Sequence, residues 1–404
     1  MRYASRVERW LPARDAASEI QEAALRHRAA GEDVILLTAE EPDLPVAGPI
    51  VAAARASLEL GHRGCPEPIG QLELREAIAA YHERQGGYRC EPDGVVVLPG
   101  ARAALYAACQ CLLDDGDAVL APEPLYPTYP GAVQAAGATL VRVPMQPDRG
   151  FALDPERLEA ALTPRARVVL LPLPGNPSGA VAGPDELEAL AELCRRHDLW
   201  LICDEVLAAL RHEGQHVSPR ALPGMAERTV VVGSLSKSHA MAGWRVGWLL
   251  APPSLARHVA ALAQTVVQGP PGFVQEAATL ALSEQREVET VQTRLRRRRD
   301  AVCRRLAGLP GLACHRPAGG ASVLLDVRRT GLDGTEFARR LLASEGVAVQ
   351  PGAVFGEITT GHVRLSLAVP DELLAEACNR IGRFAFRLTA RLPSPDAGAT
   401  ARSA

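Results

Sequence analysis

Thr229-Val230-Val231-Val232-Gly233-Ser234-Leu235-Ser236-Lys237-Ser238-His239 runs from a short apolar segment into a cluster of hydroxyls around one lysine. Thr229–Gly233 has no polar alternation, so it reads as a strand buried on both faces rather than on one. Outward from it, Val95–Leu98, Ala118–Ala121, Thr139–Val143, Val168–Leu171, Leu199–Cys203 and Val246–Leu250 are further apolar runs bounded by turn signals. Helical stretches such as Ala101–Leu113 and Pro184–His197 lie between them. Buried strands alternating with helices predict an α/β fold with a largely parallel sheet covered on both faces.

This pattern extends from about residue 48 to 280, which is expected to be one large domain. Ala16–Ala30 has helical spacing closed by Gly31, and Val34–Leu37 reads as a short strand. The run Arg294–Arg299 follows Glu-rich sequence, so it is expected to be a solvated, ion-paired helix face rather than an RNA site. From there the chain reads as a smaller α+β domain, with strands near Ser322–Val327 and Val363–Leu367. Residues 1–47 and 281–390 are assigned to this domain. Residues 391–404 are expected to be a disordered tail, because Pro393–Ala404 is small and polar.

Composition narrows the function. Of 404 residues, 47% are hydrophobic and 23% charged, as in an ordinary globular protein. A net charge of -3 gives no electrostatic case for nucleic acid or an anionic membrane. No apolar run approaches the roughly 20 residues of a membrane-spanning helix. Met1–Arg14 is charged without an apolar core, so no secretory signal is read and a cytoplasmic location is expected. The nine cysteines are read mostly as buried reduced thiols. Cys109 and Cys111 point to different faces of a helix, so no metal site is expected. Of the 44 basic residues only Lys237 is lysine. A guanidinium cannot act as the amine of an imine, whereas a desolvated ammonium can lose its proton; genome bias with a lone surface lysine is the alternative.

Five segments fall where strands end and loops begin, the edge at which open α/β sheets collect ligands. Leu98-Pro99-Gly100-Ala101-Arg102 joins a strand to a helix start, where backbone N–H groups can meet a phosphate. Pro124-Leu125-Tyr126-Pro127-Thr128-Tyr129 fixes an aromatic that can stack on a flat ring. Pro174-Gly175-Asn176-Pro177-Ser178-Gly179 can aim an amide at a ligand oxygen, or form a plain turn. Asp204 ends the strand of Leu201-Ile202-Cys203-Asp204-Glu205, a costly place for a carboxylate without a cation, and a protonated pyridine nitrogen would be one. The fifth is the lysine segment with Gly243-Trp244-Arg245-Val246-Gly247, whose serines and arginine suit a phosphate and whose lysine suits an aldehyde.

In this order the five segments resemble the class I and II aminotransferases, fold-type I enzymes that use pyridoxal phosphate (PLP), from about Val34 to Phe386. The resemblance implies a mostly parallel, seven-stranded large domain and a homodimer with shared active sites. It implies that Lys237 forms the Schiff base with PLP and shuttles the proton, that Asp204 pairs with the pyridine nitrogen and that Asn176 donates to the ring hydroxyl. Tyr126 stacks on the ring. Ser234, Ser236 and Arg245, with the backbone of Ala101 and Arg102, hold the phosphate. Arg364, in Val363-Arg364-Leu365-Ser366, matches the arginine that forks the substrate α-carboxylate.

Three positions depart from the family pattern. Leu207 stands where a tyrosine usually shares the ring hydroxyl. Cys65-Pro66-Glu67-Pro68-Ile69-Gly70 replaces a segment whose tyrosine reaches the neighbouring subunit's phosphate. Glu40 replaces a glycine near the substrate carboxylate, where it either opposes that carboxylate or accepts a cationic substrate side chain. The leading expectation is transfer of an amino group between an L-amino acid and a 2-keto acid. The alternative is a PLP-dependent lyase, cyclase or oxidase acting on an arginine-like amino acid. A PLP-binding regulatory module is the third reading, disfavoured because only about 33 residues precede the first matched strand, too few for an appended DNA-binding domain.

Overall fold

The computed structural model describes residues 3, 15–61 and 64–390. The expected tail and all of Met1–Arg14 except Tyr3 lie outside the described residues. The chain divides into two compact units. The first contains residues 40–296 and 317–321, and the second residues 15–39, 297–316 and 322–390. These limits differ from the expected 48 and 280. Glu40 bonds to Lys237 within the first unit. Residues 317–321 return to it because Ala318 and Gly320 hydrogen-bond to the backbone of His212 and Leu210.

The first unit is built on seven strands: β1 (Val95–Leu98), β2 (Ala118–Glu123), β3 (Thr139–Pro144), β4 (Ala166–Pro172), β5 (Trp200–Asp204), β6 (Thr229–Ser234) and β7 (Gly247–Leu250). Their order across the sheet is β1-β7-β6-β5-β4-β2-β3. Only β7 runs antiparallel, to both of its neighbours. The reason the strands read as unbroken apolar runs is visible in the packing. Val230, Val232, Val96 and Leu98 pack on one face with helices Ala101–Leu112 and Pro253–Val266. Val231, Val95 and Val97 pack on the other with helices Leu72–Gly86 and Gly272–Ser283. Each fully buried valine contributes about 1.5–3 kcal/mol, so alternation with polar residues is excluded.

Local signals place the helices. Helix Pro184–Arg196 starts on a proline, its Glu186 carboxylate accepts from the Gly183 N–H at 2.6 Å, and Arg195 and Arg196 close the last turn. Its buried stripe is Leu187, Leu190, Ala191, Leu193 and Cys194.

The second unit holds an antiparallel sheet in the order Gln350–Pro351, His362–Ser366, Ser322–Asp326, Ala313–Cys314. Ile35–Leu36 pairs in parallel with Val347–Ala348. Helices Ala16–Ala29, Gly334–Glu345 and Asp371–Thr389 belong to this unit. The expectation of a solvated arginine face needs correction here. Helix Gln285–Leu306 buries Val291, Leu295, Arg298, Arg299, Val302 and Leu306, one stripe at helical spacing that includes two of the arginines. Arg298 donates from Nε to Asp371 at 2.6 Å and from Nη1 to the Leu367 carbonyl at 3.1 Å. Arg299 donates to Asp300 at 2.9 Å. Arg296 and Arg297 are exposed, as expected.

Candidate active site

Strands β4, β5 and β6 lie side by side in parallel, with Pro172 opposite Asp204 and Asp204 opposite Val232. Their carboxyl ends therefore form one edge, and the loops that follow carry Asn176, Asp204 and Lys237 to it. At this edge opens a cleft of about 480 Å³. Its lining includes Glu40, Ala101, Arg102, Tyr126, Asn176, Asp204, Ser234, Ser236, Lys237 and Arg245. Leu207 also lines it, whereas Cys65 is exposed and is not on the wall. Arg364 is buried in the second unit, with its guanidinium on the Thr38 carbonyl at 2.8 Å, on Gln350, and 4.9 Å from the centre of the Phe355 ring.

Lys237 sits on the single turn Leu235–Ser238, which continues directly from β6. Ser234 caps that turn, its hydroxyl accepting from the Ser236 N–H at 3.1 Å. The Lys237 amine donates to the Glu40 carbonyl at 2.6 Å, joining segments 197 positions apart. The Glu40 carboxylate is buried and accepts from Asn176 Nδ2 at 3.1 Å.

One end of the cleft is shaped for an anion. Ser234 and Ser236 hydroxyls lie 2.8 Å apart. Arg245 adopts a left-handed backbone (φ 54), and its guanidinium bonds to the carbonyls of Ala242 and Pro99 at 2.8 and 3.2 Å. Helix Ala101–Leu112 presents its first N–H groups here. Gly100 is required: its φ is +86, and a Cβ there would fall 2.3 Å from Arg245 Nη2. A Cβ at Gly247 would meet the Gly100–Ala101 backbone at 2.6 Å, so both glycines let β7 and the helix start close around this end.

The middle of the cleft is shaped for a flat ring with a cationic atom. Asp204 accepts from the Tyr129 hydroxyl at 2.9 Å and from the Val206 N–H at 3.1 Å, both neutral donors. Burial outweighs these bonds and raises its pKa above the ordinary carboxylate value. Tyr126 packs edge-on to Tyr129 at 5.9 Å, and its hydroxyl accepts from Arg102 at 3.0 Å. Tyr129 stands out in the sequence beside Tyr126, but its bond to Asp204 is visible only in the structure. Burial and the nearby Asp204 charge keep its phenol protonated, so it can only donate to that carboxylate.

PLP fits this donor set. A phosphate suits the serine, arginine and N–H cradle that excludes a Cβ, a pyridinium suits the buried carboxylate of Asp204, and an aldehyde suits the one lysine amine. Residues 32–381 match the family described as aminotransferase class I and II. The arginine–pyruvate transaminase AruH of Pseudomonas aeruginosa is 46% identical over 96% of this chain and 99% of its own length. The aspartate/prephenate aminotransferase of Thermus thermophilus is 38% identical over 90% of this chain and 94% of its own. Among solved structures, a single mutant of Thermus thermophilus aspartate aminotransferase superposes with a TM-score of 0.90 at 37% identity, covering 95% of this chain and 100% of that one. The aromatic aminotransferase of Pyrococcus horikoshii gives 0.86 at 34% identity, over 91% and 99%. The chain belongs to the class I and II aminotransferases, PLP-dependent enzymes that transfer an amino group between an amino acid and a 2-keto acid.

Proposed function

We propose that this enzyme takes its amino group from a cationic amino acid of the arginine type and passes it to a small keto acid such as pyruvate. The observation that carries this reading is Glu40, a carboxylate buried in the cleft wall where the family pattern has glycine. A carboxylate on a cleft wall favours a cationic side chain over an anionic one, and a guanidinium forks such a group with two parallel bonds. Glu41 adds a second, exposed carboxylate to the same lining. The 46% identity to an arginine–pyruvate transaminase supports the same substrate pair.

When bound, PLP supplies an aldehyde that captures the substrate amine and a ring that draws off the electron pair of the Cα–H bond. Lys237, whose amine lies in the cleft, would hold the aldehyde as an imine and would be the base that moves the substrate Cα proton. Asp204 keeps the proton on the ring nitrogen. Asn176, bonded to Glu40, would donate to the ring hydroxyl, Tyr126 would stack on the ring, and Ser234, Ser236, Arg245 and the N–H groups of Ala101 and Arg102 would hold the phosphate. Arg364 keeps its proposed role of forking the α-carboxylate. The family resemblance also supports a homodimer, which sedimentation of the purified protein checks, and a cytoplasmic location, which cell fractionation checks.

The test is alanine formation from pyruvate with each of the nineteen other standard amino acids as donor. Arginine or a close cationic analogue is expected to lead. Aspartate leading, with arginine inert, overturns the proposal. Glu40→Gln should lower kcat/KM for arginine by about ten- to a hundredfold, the worth of about 1.4–2.8 kcal/mol, and leave a neutral donor within a few-fold. Lys237→Ala should remove about 10²–10⁴-fold of turnover with every donor, the range of a lost general base.

A further inference from the structure

The second unit carries a pair of thiols that the transamination chemistry does not use. Cys303 lies on helix Gln285–Leu306, and Cys314 on the short edge strand Ala313–Cys314, eleven positions later. Their Sγ atoms are 3.4 Å apart, against the roughly 2.0 Å of an S–S bond. Both are half-buried, so a small oxidant can reach them, while Cys378 beside them is buried. Strand Ala313–Cys314 pairs only through Cys314 and Ala313 with Leu325 and Asp326 at the end of its sheet. An edge of two residues can shift by the small distance a bond requires. Arg299 and Arg316 converge on Asp300, with contacts of 2.8 and 2.9 Å, which brings two guanidinium groups to the same end of the helix.

We propose that Cys303 and Cys314 form a reversible oxidation site, in which a hydroperoxide oxidises Cys303 and Cys314 closes the disulfide. The Cys303 thiolate attacks the outer oxygen of the hydroperoxide. An S–O bond forms, the O–O bond breaks, and the alcohol, or water from hydrogen peroxide, leaves with a proton. Cys314 then gives up its proton and attacks the Cys303 sulfur. The S–S bond forms, the S–O bond breaks, and hydroxide leaves with that proton as water. Two thiols are oxidised by two electrons, and one peroxide is reduced.

The roles follow from the surroundings. The hydrogen bond from the Cys314 thiol and the charges of Arg299 and Arg316 hold the Cys303 pKa below the ordinary thiol value, against the opposite pulls of burial and of the Asp300 carboxylate. The same bond and burial raise that of Cys314. Cys303, one helical turn after Arg299 and on the helix end where the two guanidinium groups meet, is assigned as the attacking sulfur and Cys314 as the resolving one. A loop this short closes and reopens at modest cost, which suits a reversible bond in a compartment that keeps thiols reduced.

The experiment treats the PLP-loaded enzyme with a slight excess of hydrogen peroxide, alkylates it under denaturing conditions and maps the peptides by mass. Two of the nine thiols should escape alkylation, in one crosslinked species joining Cys303 to Cys314, and dithiothreitol should restore both. In Cys314→Ser, a sulfenic acid trapped by dimedone should appear at Cys303. In Cys303→Ser, oxidation of Cys314 should slow at least tenfold. The proposal is overturned if all nine thiols are still alkylated, if the crosslink involves Cys378 or joins two copies through Cys65, or if Cys314 oxidises as fast without Cys303.

Discussion

Asp204 and Glu205 are neighbours at the end of one strand, and they look into two regions of opposite electrostatic design. Asp204 faces the cleft, where its donors are the neutral Tyr129 hydroxyl and Val206 N–H, and burial raises its pKa. Glu205 faces away from it. Its Oε1 accepts from Ser218 at 2.5 Å, and His216 Nε2 lies 3.1 Å from Oε2. Burial pulls the Glu205 pKa up, but the His216 charge and hydrogen bond, with His82 and Ser218, bring it below the ordinary value. His82 is itself held by Trp248 Nε1 at 2.8 Å, and burial pushes its pKa down to about 4. The region behind the strand compensates its own carboxylate. The cleft leaves one uncompensated by the protein, which is what a site for a cationic ring requires.

Three substitutions break or sharpen this contrast. Of the three, the largest effect on turnover is expected from Asp204→Asn, which would lose the proposed partner of the ring nitrogen. It should cost about thirtyfold in kcat, about 2 kcal/mol for a bond to a charged group, while thermal unfolding of the cofactor-free protein stays unchanged or improves slightly. A variant with undiminished kcat would remove Asp204 from the ring.

Glu205→Gln should do the reverse. Kinetics should change little, and unfolding in urea should show a loss of about 1–3 kcal/mol from an impaired buried network. The pH dependence gives the sign. A folded-state pKa below the unfolded one means that the unfolded chain binds more protons in that range, so this stabilisation is present above the ordinary carboxylate value of 4.5 and fades as pH falls below it. Stability curves of wild type and Glu205→Gln should therefore converge on acidification. Asp204, with its raised pKa, contributes the opposite slope, losing stability as pH rises above its ordinary 3.8. Curves that stay parallel down to strongly acidic pH would refute the compensation of Glu205 by His216.

The smallest effect is expected from Tyr129→Phe, which takes one neutral hydrogen bond from Asp204. About 1 kcal/mol, or a fivefold change in kcat or in cofactor affinity, is the expected size. The pH at which the spectrum of the bound cofactor changes should move with it, which a packing defect alone would not produce.

Much of this molecule is readable along the chain. The inner strands follow apolar runs because helices cover both sheet faces, leaving no polar alternation to obscure them, whereas the edge strand Thr139–Pro144 is largely exposed and carries Arg142. The cleft residues were legible because strand ends and turns carry their own signals, and because Lys237 is alone in an arginine background. The arginine run was misread for a specific reason. Charge composition was weighed above periodicity, although Val291, Leu295, Val302 and Leu306 already mark the buried stripe on which Arg298 and Arg299 fall.

Local order is set by short-range physics, so the sequence alone determined which segments are strands and helices and that Lys237, Asp204, Asn176 and Arg245 stand at strand ends or in the loops beside them. Only the tertiary structure decided which groups face one another. The order of β4, β5 and β6 joins their three ends into one edge. The Glu40 carbonyl meets the Lys237 amine across 197 positions, and Tyr129 meets Asp204 across 75. These pairings depend on sheet order and helix packing over the whole unit, and no window of sequence contains both partners. The same dependence makes Asp204 a carboxylate awaiting a cation and Glu205, one residue on, a carboxylate already answered.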